Sequence, residues 1–158
     1  DVSVLLDLMI HDIDLVHAVV GSPVKSIDAN GLPVISTDID IANARIKFAN
    51  GCVANVTASR ASFKTERKLR VFQHNAYFSL DLHQKKSVVY RKTGESPTFS
   101  QADISVEEHT FGTSDALMTQ SEAFLDSVSG GAPPLVSGRV GMQALETALS
   151  ITELMQRS

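Results

Sequence analysis

Two short turn signals constrain the fold of this chain most strongly. Asn50-Gly51 divides residues 41–57, in which small and apolar residues alternate, into two predicted strands. Gln73-His74-Asn75 separates residues 69–72 from residues 77–80 in the same way. Turns of this length join antiparallel strands, because a parallel connection needs a crossover of about a dozen residues. The middle of the chain is therefore predicted to form antiparallel hairpins.

Other segments extend this pattern. Residues 24–34 have the composition of a strand with a break near Asn30-Gly31, and residues 87–90 are predicted to pair with residues 104–111. Residues 93–103 carry glycine, proline and several hydroxyl side chains without periodicity, which predicts a surface loop. The whole run amounts to about six strands in a largely antiparallel sheet.

Helices are predicted at both ends of this run. Apolar residues recur at three- and four-residue steps in residues 4–20, after a possible Ser3 cap and before Gly21, and again in residues 114–128 and 140–155. The order predicts an α+β fold with helices packed on one face of the sheet. We expect the other face to be half-apolar and available for oligomerisation as a homodimer or homotetramer.

Composition excludes several classes of protein. Fourteen basic against eighteen acidic residues give a net charge of −4, which argues against a nucleic-acid partner. A single cysteine, Cys52, excludes an internal disulfide and favours a cytoplasmic location, and no ligand spacing predicts a metal site. Because the chain lacks an initiator Met and a leader, we expect a piece of a longer protein, with no membrane partner.

The first predicted helix is mostly apolar but carries a row of polar side chains, which we call the seam. Asp7, His11 and Asp14 are four and three residues apart, so they are predicted to share one side. A carboxylate one turn from an imidazole can orient the ring and raise its basicity for proton exchange near neutral pH. The alternative is structural: Asp7 is a favourable charge at the helix start, and His11 is a satisfied, half-buried histidine.

The motifs of the chain resemble one known family. Residues 5–15, with Asp7, His11 and Asp14 in that spacing, resemble the helix that opens the C-terminal domain of the Gfo/Idh/MocA oxidoreductases. Residues 40–59 are similar to the family's strand, Asn-Gly turn and strand, and residues 134–141 resemble the loop before its last helix. The resemblance covers nearly the whole chain.

The resemblance implies a two-domain parent. An N-terminal Rossmann domain would bind NAD or NADP, and residues 1–158 would be the C-terminal domain that supplies substrate contacts and oligomer interfaces. The chain has neither the Gly-x-Gly-x-x-Gly fingerprint nor the family's Glu-Lys-Pro motif. By the family pattern Asp7 and His11 are the acid/base pair and Asp14 is a weaker substrate contact. The fragment alone is expected to be inactive.

The resemblance also suggests a substrate class. Family members act on sugars, inositols or nucleotide sugars, and Asp7–Asp14 together with Thr57-Ala-Ser59-Arg60 resembles those acting on nucleotide-linked amino sugars, including UDP-N-acetylglucosamine 3-dehydrogenases. Arg60 could anchor such a substrate through its planar fork, or it could be an exposed charge at the sheet edge. The rival hypothesis is a non-catalytic binding or dimerisation module that uses its exposed sheet face.

Overall fold

A computed structural model describes residues 3–94, 103–112, 115–131 and 133–157. The chain divides into two compact units, one of Asp1–Ser62 with Ala123–Ser158 and the other of Phe63–Glu122. Helices and antiparallel strands are segregated along the chain, so the predicted α+β class is confirmed. The strands number seven within the described residues and form two sheets rather than one.

The first predicted helix has two parts. A π-helical segment, Leu5–Met9, runs directly into helix α1, Ile10–Val20. The amide of Ile10 donates to the carbonyl of Leu5, five residues back, which is the hydrogen bond of a π turn. The helix ends at Gly21, whose left-handed φ of 59° suits a residue without a Cβ, and the Gly21 amide donates to the carbonyl of His17.

The first sheet contains the predicted Asn50-Gly51 hairpin. Its strands are β1 (Val24–Leu32), β2 (Ile41–Phe48) and β3 (Val53–Ser59), paired antiparallel in that order. The Asn50 side chain accepts the Cys52 amide at 3.0 Å, and Gly51 takes a φ of 87°. This turn chemistry explains why the hairpin could be predicted from the sequence.

The expected break at Asn30-Gly31 is wrong. Strand β1 continues through both residues, and Gly31 pairs with Ala42 of β2. A Cβ on Gly31 would lie 2.7 Å from side-chain atoms of both Ile39 and Met155. Glycine is therefore needed at this position for close packing and not for a turn.

The core of the first unit lies between this sheet and the helices. Apolar side chains of β2 and β3 face the π-helical segment, α1 and helix α3 (Gly138–Gln156). The buried apolar residues are Val4, Leu5, Met9, Ile13, Val16, Ala42, Ala44, Ile46, Phe48, Val56, Ala58, Ala144, Ala148, Ile151 and Met155.

The outer face of the first sheet is polar, which corrects the expectation of a half-apolar face. Alternation along β2 places Asn43 and Arg45 outside, and the side chains of Thr57 and Asn55 on β3 bond to them at 2.8 and 2.9 Å. Successive side chains of a strand point to opposite faces, so the apolar side chains of each strand pack against the helices and the polar ones lie on the outer face.

The second unit carries the other sheet. Its strands are β4 (Lys68–Gln73), β5 (Ala76–Asp81), β6 (Lys86–Lys92) and β7 (Ile104–Thr110), all antiparallel neighbours in chain order. The predicted pairing of residues 87–90 with 104–111 is thus confirmed. Within the described residues of this sheet no side chain is buried, and the stacked rings of Phe72, Tyr77 and Tyr90 line one face.

The remaining helices match the two C-terminal predictions. Helix α2 covers Ala116–Gly130, and α3 begins after Ser137, whose side chain accepts the Val140 amide. Most of the predicted loop at 93–103, namely residues 95–102, lies outside the described residues. Among the described helices, none combines the length and the hydropathy that a bilayer-spanning helix requires.

Candidate active site

The structure places Asp7 and His11 on exposed consecutive turns at the start of the first helix. Asp7 lies in the π-helical segment, and His11 is the second residue of α1. Both side chains are exposed, and neither has a side-chain hydrogen bond within the described part of the chain. The alternative of a satisfied, half-buried histidine is therefore wrong for His11. Segments of π-helix inside longer helices occur frequently at functional sites.

Asp14 lies deeper than the other two residues of the seam. It is half-buried, its Oδ1 is shielded from solvent, and that atom has no hydrogen-bond partner among the described residues. It lines a groove of about 800 Å³ between α1 and the beginning of α3. The seam therefore passes from solvent at Asp7 into this groove at Asp14.

His17 also lines this groove, and the sequence analysis did not single it out. Its Nε2 lies 2.9 Å from Oγ1 of Thr147 on α3, and its ring makes a T-shaped contact with that of Phe48 at a centroid distance of 5.9 Å. Burial lowers the pKa of His17, and the negative charge of Asp14 opposes part of that shift. The spacing of Asp14 and His17, three residues apart on a helix, was the available signal.

Arg60 lies immediately after β3 in a network around a buried carboxylate. Its Nε donates to Oδ1 of Asp40 at 2.6 Å, and another of its nitrogens donates to the Ser36 hydroxyl at 2.9 Å. Oδ2 of Asp40 accepts three consecutive backbone amides, those of Val34, Ile35 and Ser36. Arg60 is half-buried and paired with Asp40, so the alternative of an exposed charge at the sheet edge is wrong, and its contact with substrate stays a prediction.

The electrostatics of Asp40 follow from this network. Burial alone would raise the pKa of the carboxyl, but hydrogen bonds from the Ile35 and Val34 amides, from Arg60 and from Ser36 hold that pKa well below its usual range. Asp40 remains ionised and organises the loop between β1 and β2. In the sequence, Asp40 is recognisable only as the start of a family motif.

The described residues show no cradle for a dinucleotide. Glycines with positive φ occur at Gly21, Gly51 and Gly131, that is at two helix ends and a hairpin, and none of them opens a helix after a strand as a pyrophosphate cradle would. No group of three or more potential metal ligands occurs among the described residues. Asp7 and His11 place one exposed carboxylate and one exposed imidazole on consecutive turns of the first helix.

Comparison with known proteins agrees with this architecture. The GFO/IDH/MocA C-terminal domain family model matches residues 2–79. The chain is 31% identical to a UDP-N-acetylglucosamine 3-dehydrogenase of Acidithiobacillus ferrooxidans over 152 residues, 96% of this chain and 48% of that protein. A solved structure of that enzyme superposes with a TM-score of 0.91 at 29% identity, covering 99% of this chain and 50% of the other.

A second relative is named for a different substrate. The chain is 24% identical over 150 residues to a myo-inositol 2-dehydrogenase of Thermotoga maritima, 90% of this chain and 44% of that protein. An NAD-binding protein of Listeria innocua shares the fold at a TM-score of 0.76 and 19% identity, over 98% of this chain and 46% of the other.

These findings define the class of protein. The chain belongs to the GFO/IDH/MocA family and corresponds to its C-terminal domain. It spans about half the length of the curated relatives that it matches, and those relatives are dehydrogenases.

Proposed function

We propose that this chain is the substrate domain of an NAD(P)-dependent oxidoreductase that oxidises a hydroxyl carbon of a sugar or nucleotide sugar, or reduces the corresponding ketone. In this proposal a Rossmann domain elsewhere in the same polypeptide holds the nicotinamide. The single observation that carries the proposal is the exposed, unbonded placement of Asp7 and His11 on one helix in a member of a dehydrogenase family.

The exposure of the two side chains distinguishes this proposal from a purely structural role. A histidine that only stabilises the fold is expected to be buried and hydrogen-bonded, because an imidazole in the interior needs partners. His17 is half-buried and hydrogen-bonded to Thr147, whereas His11 is exposed and has no side-chain hydrogen bond among the described residues. A general base must instead be able to reach the proton it removes, which requires an open side chain in the free domain.

The proposed chemistry uses His11 as the proton acceptor. Bound NAD(P)⁺ would supply the hydride acceptor for the C–H bond of the substrate, and the imidazole of His11 would accept the hydroxyl proton as that bond breaks. The carbonyl that forms keeps both former substituents of the carbon. Asp7 lies one turn earlier, and its negative charge would stabilise the imidazolium that develops. In the reductive direction the same imidazolium returns the proton.

The substrate class rests on the relatives and on the polar groups near the helix. Nucleotide sugars are the leading candidates because the more similar curated relative is a UDP-N-acetylglucosamine 3-dehydrogenase, and inositols are second. Asp14 is proposed as a contact for substrate hydroxyls where the seam enters the groove. We also propose that Arg60 binds the substrate, because its hydrogen bond to Asp40 already holds the guanidinium in a fixed orientation.

The experiment that tests the proposal is a rate assay on the full-length polypeptide. Oxidation of a panel of UDP-sugars and inositols is followed with NAD⁺ and with NADP⁺, and the 158-residue chain is assayed in parallel. We expect turnover of at least one panel member by the full-length protein and none by the isolated chain. Full-length protein that binds nicotinamide normally but oxidises none of the panel would contradict the proposed substrate class.

A second role, contact with another copy of the chain, is favoured by the four-stranded sheet. Phe72 on its edge strand is 74% exposed, and Val106 on the opposite edge strand is also exposed. A sheet without any buried described side chain gains stability when another layer covers it. We propose a homodimer or homotetramer through the face of this sheet that carries Phe72, and light scattering of Phe72→Glu against His109→Glu, an exposed position on the opposite face, would test it. Equal masses for the two variants and the wild type would contradict it.

A further inference from the structure

His17 connects the helix that carries the proposed catalytic pair to the last helix of the chain. Its Nε2 lies 2.9 Å from Oγ1 of Thr147, 130 positions later on α3. Thr147 is one of two buried polar or charged side chains among the described residues, with 6% of its surface exposed. Breaking a hydrogen bond at this depth leaves polar atoms unpaired, so the bond resists sliding and rotation of α1 against α3.

The other hydrogen bond of the Thr147 hydroxyl indicates which partner donates in the bond between His17 and Thr147. The hydroxyl of Thr147 donates to the main-chain carbonyl of Gln143 at 3.0 Å. A hydroxyl has a single proton, and while that proton lies on the carbonyl of Gln143 the oxygen can only accept from His17. This hydrogen-bond pattern assigns the Nε2–H tautomer to the neutral ring of His17.

The surroundings favour this neutral form. The ring of His17 packs in a T-shaped arrangement against that of Phe48 on β2, which is uncharged. The titratable groups that face the groove are Asp14 from α1 and Glu146 from α3. Burial outweighs the attraction of Asp14 for a second proton and lowers the pKa of His17.

We propose that His17 is a positioning residue: its hydrogen bond to Thr147 sets the rotation of α1 about its own axis and thereby the direction in which His11 points. His11 and His17 lie six residues apart on one helix, roughly 9 Å along its axis. A rotation at one position is transmitted to the other, because the backbone hydrogen bonds of the helix make it rigid. This inference rests on the proposed function for its effect on turnover.

The test uses three threonine variants of the full-length protein. Thr147→Val keeps the shape and removes the hydroxyl, Thr147→Ser keeps the hydroxyl, and Thr152→Val removes a hydroxyl on the same helix that bonds only to the carbonyl of Ala148. We expect Thr147→Val to lower kcat by about tenfold with an unchanged KM for the nicotinamide, since misorientation of a base affects the chemical step. Thr147→Ser and Thr152→Val should stay within about twofold of the wild type.

A purely structural role gives a different result. Thr147→Val would then lower the melting temperature while kcat, measured well below that temperature, stayed at the wild-type value, and this outcome would overturn the inference. The variant His17→Gln, which retains an N–H donor, should keep more of the turnover than His17→Leu. Equal losses in the two variants would also contradict a role for the hydrogen bond.

A spectroscopic readout keeps the inference separate from the proposed function. In ¹⁵N-histidine-labelled protein we expect the Nε2–H tautomer for His17, and ring signals of His11 that shift in Thr147→Val but not in Thr152→Val. If the wild type oxidises no substrate, the proposed function fails while these signals still decide the inference. Ring signals of His11 that are the same in both variants would overturn it.

Discussion

The guanidinium of Arg60 lies 2.6 Å from a carboxylate oxygen of Asp40 that is wholly shielded from solvent. The backbone repeats the connection, because the amide of Arg60 donates to the carbonyl of Asp40 at 2.9 Å. The ion pair therefore fixes the end of β3 to the beginning of β2. It also closes the loop of residues 33–39, whose backbone amides surround the same carboxylate.

We expect Asp40→Asn to be strongly destabilising. The amide nitrogen of Asn would face backbone N–H donors or the guanidinium, and the half-buried guanidinium of Arg60 would lose its carboxylate partner. The melting temperature should fall by on the order of 10 °C, measured by circular dichroism. The exposed Asp38→Asn, two residues earlier, is the matched control and should melt within about 2 °C of the wild type. Equal melting temperatures for the two variants would contradict the role of the network.

The same carboxylate predicts a contribution to acid denaturation. Asp40 has a lower pKa in the folded chain than in the unfolded chain, so its stabilising contribution is present above its unfolded pKa of about 3.9. That contribution is lost as the pH falls through the lower folded pKa. In urea unfolding at pH 2 to 5, the loss of stability with falling pH should be smaller in Asp40→Asn than in the wild type. Parallel curves would show that other carboxyls account for the loss.

His17 is expected to make the free energy of unfolding depend on pH near neutrality. Its folded pKa is lowered, so the unfolded chain binds the proton more tightly, and the free energy of unfolding should rise with pH up to about 6.5 and then level off. His17→Gln should flatten this rise between pH 5 and 7, followed by urea unfolding. The variant His74→Gln, at an exposed turn, should keep it. A wild-type stability that falls over this interval would contradict the buried neutral imidazole.

Two positions on α3 are expected to differ strongly in the loss of stability that an alanine substitution causes, because only one of them lies in the core of the first unit. Ile151 is fully buried, so Ile151→Ala should lower the free energy of unfolding by about 2–5 kcal/mol. Leu149 on the same helix is 46% exposed, and Leu149→Ala should cost less than about 1 kcal/mol. Chemical denaturation of both variants measures the difference. Similar costs at the two positions would mean that α3 packs on a different face.

Replacing glycine by alanine is expected to change the stability in opposite directions at two positions. Gly21 has a φ of 59° with open space around its Cα, so Gly21→Ala should destabilise by about 1 kcal/mol through backbone strain alone. Gly141 lies inside α3, also with open space, and Gly141→Ala should stabilise by about 0.5–1 kcal/mol. Thermal unfolding of the pair checks this, and a stabilised Gly21→Ala would contradict the helix end described for α1.

Local chemistry explains which parts of the fold could be predicted. The Asn50-Gly51 turn, the end of α1 at Gly21 and the two C-terminal helices depend on residues close in sequence. The continuity of β1 through Gly31 does not, because that glycine is required by Ile39 and Met155, which approach it through tertiary packing. The division of the strands into two sheets was likewise not readable from strand periodicity, which specifies faces and not partners.

The candidate site shows the same limit. The spacing of Asp7, His11 and Asp14 could be read directly, and it placed them on one helix. The solvent exposure of these side chains could not be predicted from the sequence, because residue identity does not distinguish an exposed histidine from a buried one. His17 was missed for the converse reason: its partner Thr147 is 130 positions away, and no local pattern connects them.

The most direct test of the account is the turnover of His11→Ala in the full-length protein with the substrate that the wild type oxidises. Cofactor affinity is measured alongside it by nicotinamide fluorescence, and His74→Ala serves as the matched histidine control. The account predicts that turnover falls by at least about a hundredfold while cofactor affinity and the control stay unchanged, as expected for loss of a general base. Near-normal turnover of His11→Ala would contradict the assignment of His11 as the proton acceptor.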